Sequence, residues 1–209
     1  MKVSPIARSE SSFKVKRSEF IGILEPISKT EHVNEKLKIL KKEHHSSRHI
    51  CWAYRLDFGN ELTENSSDGG EPSGYAGIPI LNILRKNRIV NGAVFVVRYF
   101  GGVKLGKRGL IDAYKKCAEI AVEQASLKQW KQKKNYQIEC PLDYYGNLSN
   151  LLDKYHGKII RDASKSMLLW KIDLPEERAK YFCKENLFTT KSIHLLGEED
   201  AIAIVTPFS

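Results

Sequence analysis

The sequence has no apolar run of about 18 residues, the length that a helix needs to cross a bilayer, and its first residues lack the apolar core of a secretory signal. Cysteine is scarce as well. The four cysteines, none of them in a C-x-x-C pair, are Cys51, Cys117, Cys140 and Cys183. These absences predict a cytoplasmic protein with reduced thiols, without a disulfide framework or a membrane partner.

Acidic residues are nearly absent from one stretch of the chain. Between Arg85 and Lys116 there are nine basic residues and one acidic residue, a net charge of +8, while the whole chain carries +9. Residues 1–48 carry +5, residues 49–84 carry −4, and residues 117–209 balance. Such an excess indicates a phosphate-bearing partner, most often nucleic acid; the alternative is a solvated cationic surface that maintains solubility.

Hydrophobic periodicity predicts strands and helices throughout the first 125 residues. Residues 12–27 are interpreted as two short strands in a hairpin, and Thr30 is expected to cap the helix that follows. Residues 60–75 are polar and rich in Gly and Ser, which predicts a loop. The other predicted elements are a helix over 31–43, a strand over 49–58, a helix over 76–87, a strand over 93–99 and a helix over 110–123.

The last third of the chain has a second pattern. Residues 126–135 are polar and basic and are interpreted as a linker. The predicted elements beyond it are strands over 136–142, 158–163, 167–173, 192–195 and 201–205 and helices over 144–155 and 175–186. The β-α-β-β-α-β order is the ferredoxin-like plan. We therefore expect an α+β protein of two domains, residues 1–132 and 133–209.

A glycine-rich loop separates the apolar strand over 93–99 from a basic helix start. Four glycines in nine residues let the backbone approach a ligand closely: Gly101, Gly102, Gly106 and Gly109. A helix N-terminus favours anions, because its free N–H groups and its dipole both point there. Positive charge is added by Arg98, Lys104, Lys107 and Arg108. The loop predicts an anion site built on backbone amides; alternatively, its glycines serve only a tight turn.

The same loop is close to a nucleotide-binding P-loop but departs from it at one position. Gly101-x-x-x-x-Gly106-Lys107 has the spacing of that motif, yet Arg108 stands where a Ser or Thr hydroxyl should reach magnesium. We therefore favour a plain anion-binding loop over a nucleotide-hydrolysing site.

A cluster of possible zinc ligands precedes and begins the strand over 49–58. Its members are His44, His45, His49 and Cys51. No second ligand pair lies near them in the sequence, which favours structural or hydrogen-bonding roles. We expect no metal and no cofactor.

The acidic residues of the 60–75 loop could hold a cation or supply a general base, although a solvated loop is the default interpretation. A further hypothesis is that Asp68 or Glu71 pairs with Arg98 or Lys104 and so shapes the basic loop. Ser73 does not lie in a G-x-S-x-G elbow and is not interpreted as a nucleophile.

Two motifs together resemble a known family. The first is Gly70-Glu71-Pro72-Ser73-Gly74-x-Ala76-Gly77-x-Pro79-Ile80-Leu81. The second is Val97-Arg98-Tyr99-Phe100-Gly101-Gly102-x-Lys104-Leu105-Gly106-x-x-Gly109-Leu110-x-x-Ala113-Tyr114. They are similar to the motifs of the Impact / YigZ family of translation-linked proteins. The resemblance covers residues 12–125, and the remainder fits the second domain of the bacterial, two-domain members.

The resemblance implies a fold and a role. It implies a first domain like the second domain of ribosomal protein S5 and a second domain similar to the last, ferredoxin-like domain of elongation factor G. It also implies binding to RNA, the ribosome or a translation factor. The chain departs from the family pattern where Ile50 replaces Asn, Gly69 replaces an acid, Tyr75 replaces Thr and Arg108 replaces Gly. Losing an acid and a hydroxyl weakens the case for chemistry, whereas Arg108 strengthens anion binding.

The leading hypothesis is a translation-linked regulator that binds RNA or the ribosome and is not an enzyme. Its anion- or nucleic-acid-binding residues would be Arg98, Tyr99, Gly101, Gly102, Lys104, Gly106, Lys107, Arg108 and Gly109, and the second wall of the site would be Glu71, Ser73, Gly74 and Tyr75. One alternative is an enzyme that binds a small phosphorylated or carboxylated ligand between the 68–77 and 98–109 loops. Its acid–base candidates would be His49, Asp68 and Glu71. Another alternative is a regulator that binds only protein.

Overall fold

The computed structural model describes residues 1–58, 61–186, 192–196 and 203–204. The chain divides into two compact units, Met1–Trp130 and Lys131–Ser209. Each unit has its own hydrophobic core. The predicted α+β class is confirmed. The domain boundary between residues 132 and 133 stays a prediction, close in sequence to this division. No helix in the described part of the chain is long and apolar enough to span a membrane.

Strands and helices alternate along the first unit. Its elements are β1 (Val3–Pro5), β2 (Ser9–Val15), β3 (Ser18–Pro26), α1 (Glu31–Glu43), β4 (His49–Asp57), β5 (Leu62–Ser67), α2 (Gly77–Lys86), β6 (Gly92–Tyr99), α3 (Gly106–Glu123) and β7 (Leu127–Gln129). Five of the strands form an antiparallel sheet in the order β2-β3-β6-β4-β5. β1 pairs with β7 in a separate two-stranded sheet.

Strand β6 lies at the centre of the five-stranded sheet and is buried on both faces. Val94 and Val96 belong to the core formed with α2 and α3, whereas Phe95 and Val97 belong to the core formed with α1. Since both faces are covered, the strand is continuously apolar instead of alternating. The sheet is thus packed between helices, and the ends of its strands position the candidate site.

The predicted hairpin in residues 12–27 is confirmed as β2 and β3. Its two turn residues, Lys16 and Arg17, have φ values of 44° and 65°. Two consecutive left-handed residues form the turn whose twist matches that of antiparallel strands. The turn therefore brings β2 and β3 into register, with Val15 opposite Ser18.

The prediction of a loop over 60–75 is wrong for residues 62–67, which form β5. This strand pairs with β4 at the edge of the sheet, and Nε of Arg55 donates a hydrogen bond of 2.9 Å to Glu64 across the pair. An edge strand can keep polar residues on both sides because it is partly solvated. Its sequence therefore lacks the apolar alternation by which strands are recognised.

The prediction of a linker over 126–135 is also wrong. Residues 127–129 form β7, which pairs with β1, and β8 begins at Lys133. The pairing of Val3 with Gln129 joins opposite ends of the first unit, so no local pattern reveals it.

One predicted helix start and one predicted helix cap differ from the structure. Helix α3 begins at Gly106, not at Leu110, so the second half of the glycine-rich loop is its first turn. Helix α1 has the predicted bounds, but Thr30 makes no capping hydrogen bond with its side chain, contrary to the expectation.

The second unit has the predicted order of elements. They are β8 (Lys133–Cys140), a 3-10 turn (Leu142–Tyr144), α4 (Tyr145–Lys154), β9 (Lys158–Asp162), β10 (Leu168–Pro175), α5 (Glu176–Asn186), β11 (Ser192–Leu196) and β12 (Ala203–Ile204). The sheet order is β12-β11-β8-β10-β9, and Trp170 and Phe182 lie in the core between sheet and helices. Of the strand predicted over 201–205, residues 201, 202 and 205 lie outside the described residues. The likenesses to the ribosomal and elongation-factor domains stay predictions.

Candidate functional site

Asp68 organises the loop that leads into α2. Its carboxylate accepts hydrogen bonds of 2.9 Å from the backbone N–H groups of Gly74, Ala76 and Gly77, which lie at the start of the helix. Partial burial raises the pKa of this carboxyl, but the backbone donors, Gly74 first, more than offset that effect and hold the pKa below its usual value. Both oxygens of Asp68 are engaged in shaping the loop, so its predicted acid–base role receives no support from this geometry.

Gly69 shows why the acid of the resembled family is not accommodated at this position. Its φ is +54°, and a Cβ atom there would lie 2.2 Å from the carbonyl oxygen of Ile50. Any side chain at residue 69 would therefore force the loop away from β4.

Glu71 holds the loop onto the sheet and onto α3. Its Oε1 accepts a hydrogen bond of 2.5 Å from Nη1 of Arg98 and another of 2.8 Å from the hydroxyl of Tyr114. The side chains of Glu71 and Arg98 are 5% and 7% exposed. The hypothesis that Glu71 pairs with Arg98 is confirmed. Removing one partner of such a buried pair typically costs about 3–5 kcal/mol, because the other charge stays buried.

The guanidinium of Arg98 lies between two aromatic rings. Its carbon is 5.5 Å from the ring centroid of Phe20 and 5.4 Å from that of Phe100. Arg98 is therefore held in a buried ion pair with Glu71, and its Nε–H has no acceptor among the described residues.

The glycines of the loop have two structural roles. Gly101 donates its N–H to Oγ of Ser18 at 3.2 Å, and a Cβ atom on Gly101 would lie 2.0 Å from the carbonyl oxygen of Arg17. Gly102 and Gly106 have φ values of +82° and +72° and face open space. The amide of Gly101 is engaged with Ser18, whereas the first turn of α3 has no side-chain cap at Leu105.

These elements enclose a cavity of about 390 Å³, here called the α3 pocket. It is lined by Arg48, His49, Pro72, Tyr75, Arg98, Phe100, Lys104, Leu105, Gly106, Lys107 and Leu110. Four of these residues are cationic, and no carboxylate belongs to the described lining. The Nζ of Lys107 lies 5.4 Å from the ring centroid of Tyr75, which joins the two predicted walls. The pocket combines positive charge, aromatic rings and an uncapped helix N-terminus.

Several predicted site residues lie outside the lining of the α3 pocket. Arg108 is exposed on the first turn of α3, and Ser73 and Gly74 are exposed on the 68–77 loop. Tyr99 points to the other face of the sheet, where its hydroxyl makes a hydrogen bond of 2.8 Å with Nδ1 of His44. The roles of these residues in binding stay predictions.

The four possible zinc ligands are separated by the sheet. Nδ1 of His49 makes a hydrogen bond of 3.2 Å with the carbonyl oxygen of Gly69, while His44 bonds to Tyr99 on the opposite face. Cys51 is buried, its thiol donates to the carbonyl oxygen of Asp68 at 2.9 Å, and burial raises its pKa to about 12. In the described ranges no three His, Cys, Asp or Glu residues lie close enough to hold a metal ion.

Several residues of the site were not among those predicted from the sequence, and two of them carry polar groups. Arg48 lines the α3 pocket directly before β4, and Tyr114 donates to Glu71 from the core face of α3. A basic residue adjacent to His49 was a signal that could have found Arg48. Tyr114 lies in the second motif, but nothing local to it predicts a partner 43 residues away.

Comparison with known proteins gives a family and several relatives. Residues 16–122 match the model of a family described as the Impact N-terminal domain. IMPACT family member YvyE of Bacillus subtilis (strain 168) is 33% identical over 143 residues, which are 68% of this chain and 65% of that protein, just under two thirds of its length. IMPACT family member YigZ of Escherichia coli (strain K12) is 29% identical over 189 residues, which are 90% of this chain and 93% of that protein.

Two solved structures are similar to the chain to different degrees. The crystal structure of a hypothetical protein gives a TM-score of 0.69 at 28% identity and covers 96% of this chain and 98% of its own. The structure of a protein described as the two-domain translational regulator Yih1 gives a TM-score of 0.41 at 21% identity, with 57% of this chain and 48% of that chain covered. The first likeness extends over nearly the whole chain, and the second is low.

Proposed function

The chain belongs to the Impact family, and from that premise we propose that it is a cytoplasmic, translation-linked regulator that binds single-stranded RNA, free or exposed on the ribosome, through the α3 pocket. The observation that carries the proposal is the composition of this pocket. Its described lining has four cations and two aromatic rings, and no carboxylate.

The cations fall into two groups with different roles. Arg98 is buried and already paired with Glu71, so it holds the base of the pocket in place. Lys104 and Lys107, which line the pocket, and Arg108, which is exposed beside it on the first turn of α3, would contact phosphates. The uncapped N–H groups of the first turn would add hydrogen bonds to the same phosphates.

The aromatic residues favour a single strand over a duplex. Phe100 is 48% exposed, and Tyr75 is partly exposed beside Lys107, so both rings are accessible to a ligand. Bases stack on such rings only when they are not already paired and stacked in a helix.

The test is binding of the full-length protein to a fluorescein-labelled, uridine-rich RNA of about ten nucleotides, measured by anisotropy across a salt series. We expect affinity to fall steeply between about 50 and 200 mM salt, and a Lys104→Glu, Arg108→Glu variant to bind at least about tenfold more weakly. A Lys180→Glu, Lys184→Glu variant changes the net charge equally on the exposed side of α5 and serves as the control. Affinity that is independent of salt, or unchanged in the first variant, contradicts the proposal.

An enzyme acting on a small phosphorylated ligand is the second candidate, because a cavity of about 390 Å³ has the size of a small-molecule site. Its acid–base group would be His49, since the oxygens of Asp68 and Oε1 of Glu71 already accept hydrogen bonds. Thermal-shift screening against nucleotides and sugar phosphates tests this candidate. A stabilising ligand whose effect is lost in His49→Gln supports it, and RNA binding without any such ligand removes it.

A further inference from the structure

A second cavity lies at the same end of the sheet as the α3 pocket, but on the face that α1 covers. It has a volume of about 440 Å³ and is here called the α1 pocket. Its lining residues are Leu37, Lys41, His44, His45, Ser47, Arg48, Ile50, Trp52, Ser67 and Gly69. The function proposed above does not use this cavity.

The α1 pocket has the same chemical character as the α3 pocket. Lys41 and Arg48 are exposed cations, and His45 is an exposed imidazole beside them. The described lining contains no carboxylate to neutralise these groups. An anion entering the pocket would therefore meet positive charge and hydrogen-bond donors.

Two side chains of the pocket have fixed orientations. The ring of His44 is fixed by its hydrogen bond of 2.8 Å with Tyr99. The partly buried indole of Trp52 is stacked on Tyr54, with ring centroids 5.9 Å apart and planes 14° apart, so its orientation is set. A ligand that contacts these rings therefore meets a preformed surface.

The alternation of side chains along two strands connects the pockets. On β6, Arg98 lines the α3 pocket and Tyr99 turns to the other face, where it holds His44. On β4, His49 lines the α3 pocket and Ile50 lines the α1 pocket. Arg98 and His49 are cross-strand partners, so this end of the sheet separates the pockets by a single layer of backbone.

Arg48 lines both pockets, because it immediately precedes β4 at the end of the sheet where the two pockets lie. It is exposed, and its guanidinium can contact a phosphate that lies between the two cavities.

We propose that the α1 pocket is a second nucleotide subsite, occupied by the same single-stranded RNA that the α3 pocket holds; the proposal rests on the function proposed above. Lys41 and His45 contact the phosphate, and Trp52 offers its ring to the base. Arg48 contacts the phosphate that joins the two nucleotides. The RNA strand thus passes over the end of the sheet at which β4 begins and β6 ends.

The test compares Lys41→Glu with Lys42→Glu in the full-length protein. Both residues are exposed in the last turn of α1, so both substitutions change the net charge equally and disturb the same interaction with the helix dipole. Only Lys41 lines the α1 pocket. With the labelled RNA described above, we expect Lys41→Glu to weaken binding about tenfold, and Lys42→Glu to weaken it no more than about twofold. Thermal denaturation verifies that both variants remain folded.

A second readout reports contact with Trp52 directly. We expect the RNA to quench intrinsic tryptophan fluorescence in the wild-type protein, and the quenching to be largely lost in Trp52→Phe, which keeps Trp130 and Trp170. A Trp130→Phe variant is the control and should retain the quenching.

The outcomes separate the two proposals. If Lys41→Glu binds like Lys42→Glu while Lys104→Glu, Arg108→Glu loses binding, the second subsite is overturned and the proposed function stands. If Lys41→Glu loses binding and Lys104→Glu, Arg108→Glu does not, one strand does not occupy both pockets and the shared-strand proposal fails. If the wild-type protein binds no RNA, both proposals fail.

Discussion

At the scale of single residues, the site depends on which charges are already paired. Glu71 and Arg98 are both buried and joined at 2.5 Å, and the hydroxyl of Tyr114 donates to the same carboxylate oxygen. Burial raises the pKa of Tyr114, so this hydroxyl remains protonated and available as a donor at neutral pH. Lys104 and Lys107, which are exposed at the start of α3, have no carboxylate partner in the described structure. Ligand contacts are therefore expected from the exposed cations, whereas Arg98 fixes the geometry beneath them.

Replacing Asp68 tests the residue that shapes the 68–77 loop. We expect Asp68→Ala to lower the free energy of unfolding by about 2 kcal/mol at pH 7, because three backbone N–H groups at the start of α2 lose their acceptor. Asp68→Asn retains one carbonyl oxygen and should cost less. Urea denaturation followed by circular dichroism measures both changes, and Asp112→Ala, at an exposed position on α3, is the control.

The effect of Asp68 should depend on pH with a defined sign. Because its pKa is lower in the folded state, its contribution to stability is present above the unfolded pKa of about 4 and is lost as the pH falls through the folded value. The difference between wild-type protein and Asp68→Ala should therefore shrink when the denaturation is repeated near pH 3. A constant difference between pH 7 and pH 3 would contradict the role assigned to the carboxylate.

At the scale of elements, the glycine-rich loop connects β6 to α3 and also contacts the β2–β3 hairpin. Gly101 lies against the backbone of Arg17 and donates to Ser18, whereas Gly102 and Gly106 provide left-handed turns in open space. The two interpretations of the loop are therefore compatible. Its first glycine fixes the loop to the hairpin, and the positive φ of Gly106 lets α3 begin with its amides uncovered.

Alanine at Gly101 and at Gly102 should have different costs. A Cβ atom at residue 101 would lie 2.0 Å from the carbonyl oxygen of Arg17, so Gly101→Ala must displace the hairpin turn and should lower stability by about 3 kcal/mol or more. A Cβ atom at residue 102 would meet no atom within 4 Å, so Gly102→Ala should lower stability only through its positive φ, by about 1–2 kcal/mol. The melting temperatures of the two variants test this order, and equal shifts would show that the close contact with Arg17 is not maintained.

At the scale of the whole molecule, each of the two units has a hydrophobic core, but they differ in net charge. The two units have separate cores, but the basic excess belongs mainly to the first, since residues 117–209 balance their charges. Long-range attraction of an anionic partner is therefore expected mainly from the first unit.

Limited proteolysis should separate the two units. Residues 130–132 lie between β7 and β8 without regular structure, and Lys131 among them is exposed. We expect trypsin to cut first after Lys131. In the described structure this segment is held by two isolated backbone hydrogen bonds, from the N–H of Trp130 to Lys2 and from the N–H of Glu176 to Gln132, whereas the neighbouring elements are held by continuous sheet and helix hydrogen bonds. Mass spectrometry of early products should find two fragments that meet there, and Lys131→Gln should delay them. First cuts inside α3 or β6 would argue against two independently folded domains.

The sequence by itself determined the order of strand, glycine-rich loop and helix, the βαββαβ pattern of the second unit and the location of the basic excess. These features are local: periodicity, turn residues and charge can all be read within a window of some 20 residues. The polar strand β5 and the pairing of β1 with β7 escaped prediction because an edge strand and a contact between distant segments leave no local pattern.

Only the tertiary structure decided which polar groups are already engaged. Among the pairings that the sequence left open, it selected that of Glu71 with Arg98, 27 residues away, and it engaged the oxygens of Asp68 with the backbone of their own loop. It also turned Tyr99 towards His44 on the opposite face, so that consecutive residues of one strand serve two pockets. Such partnerships depend on strand register and on distances of about 3 Å between residues far apart in the chain, and these exist only once the sheet has formed.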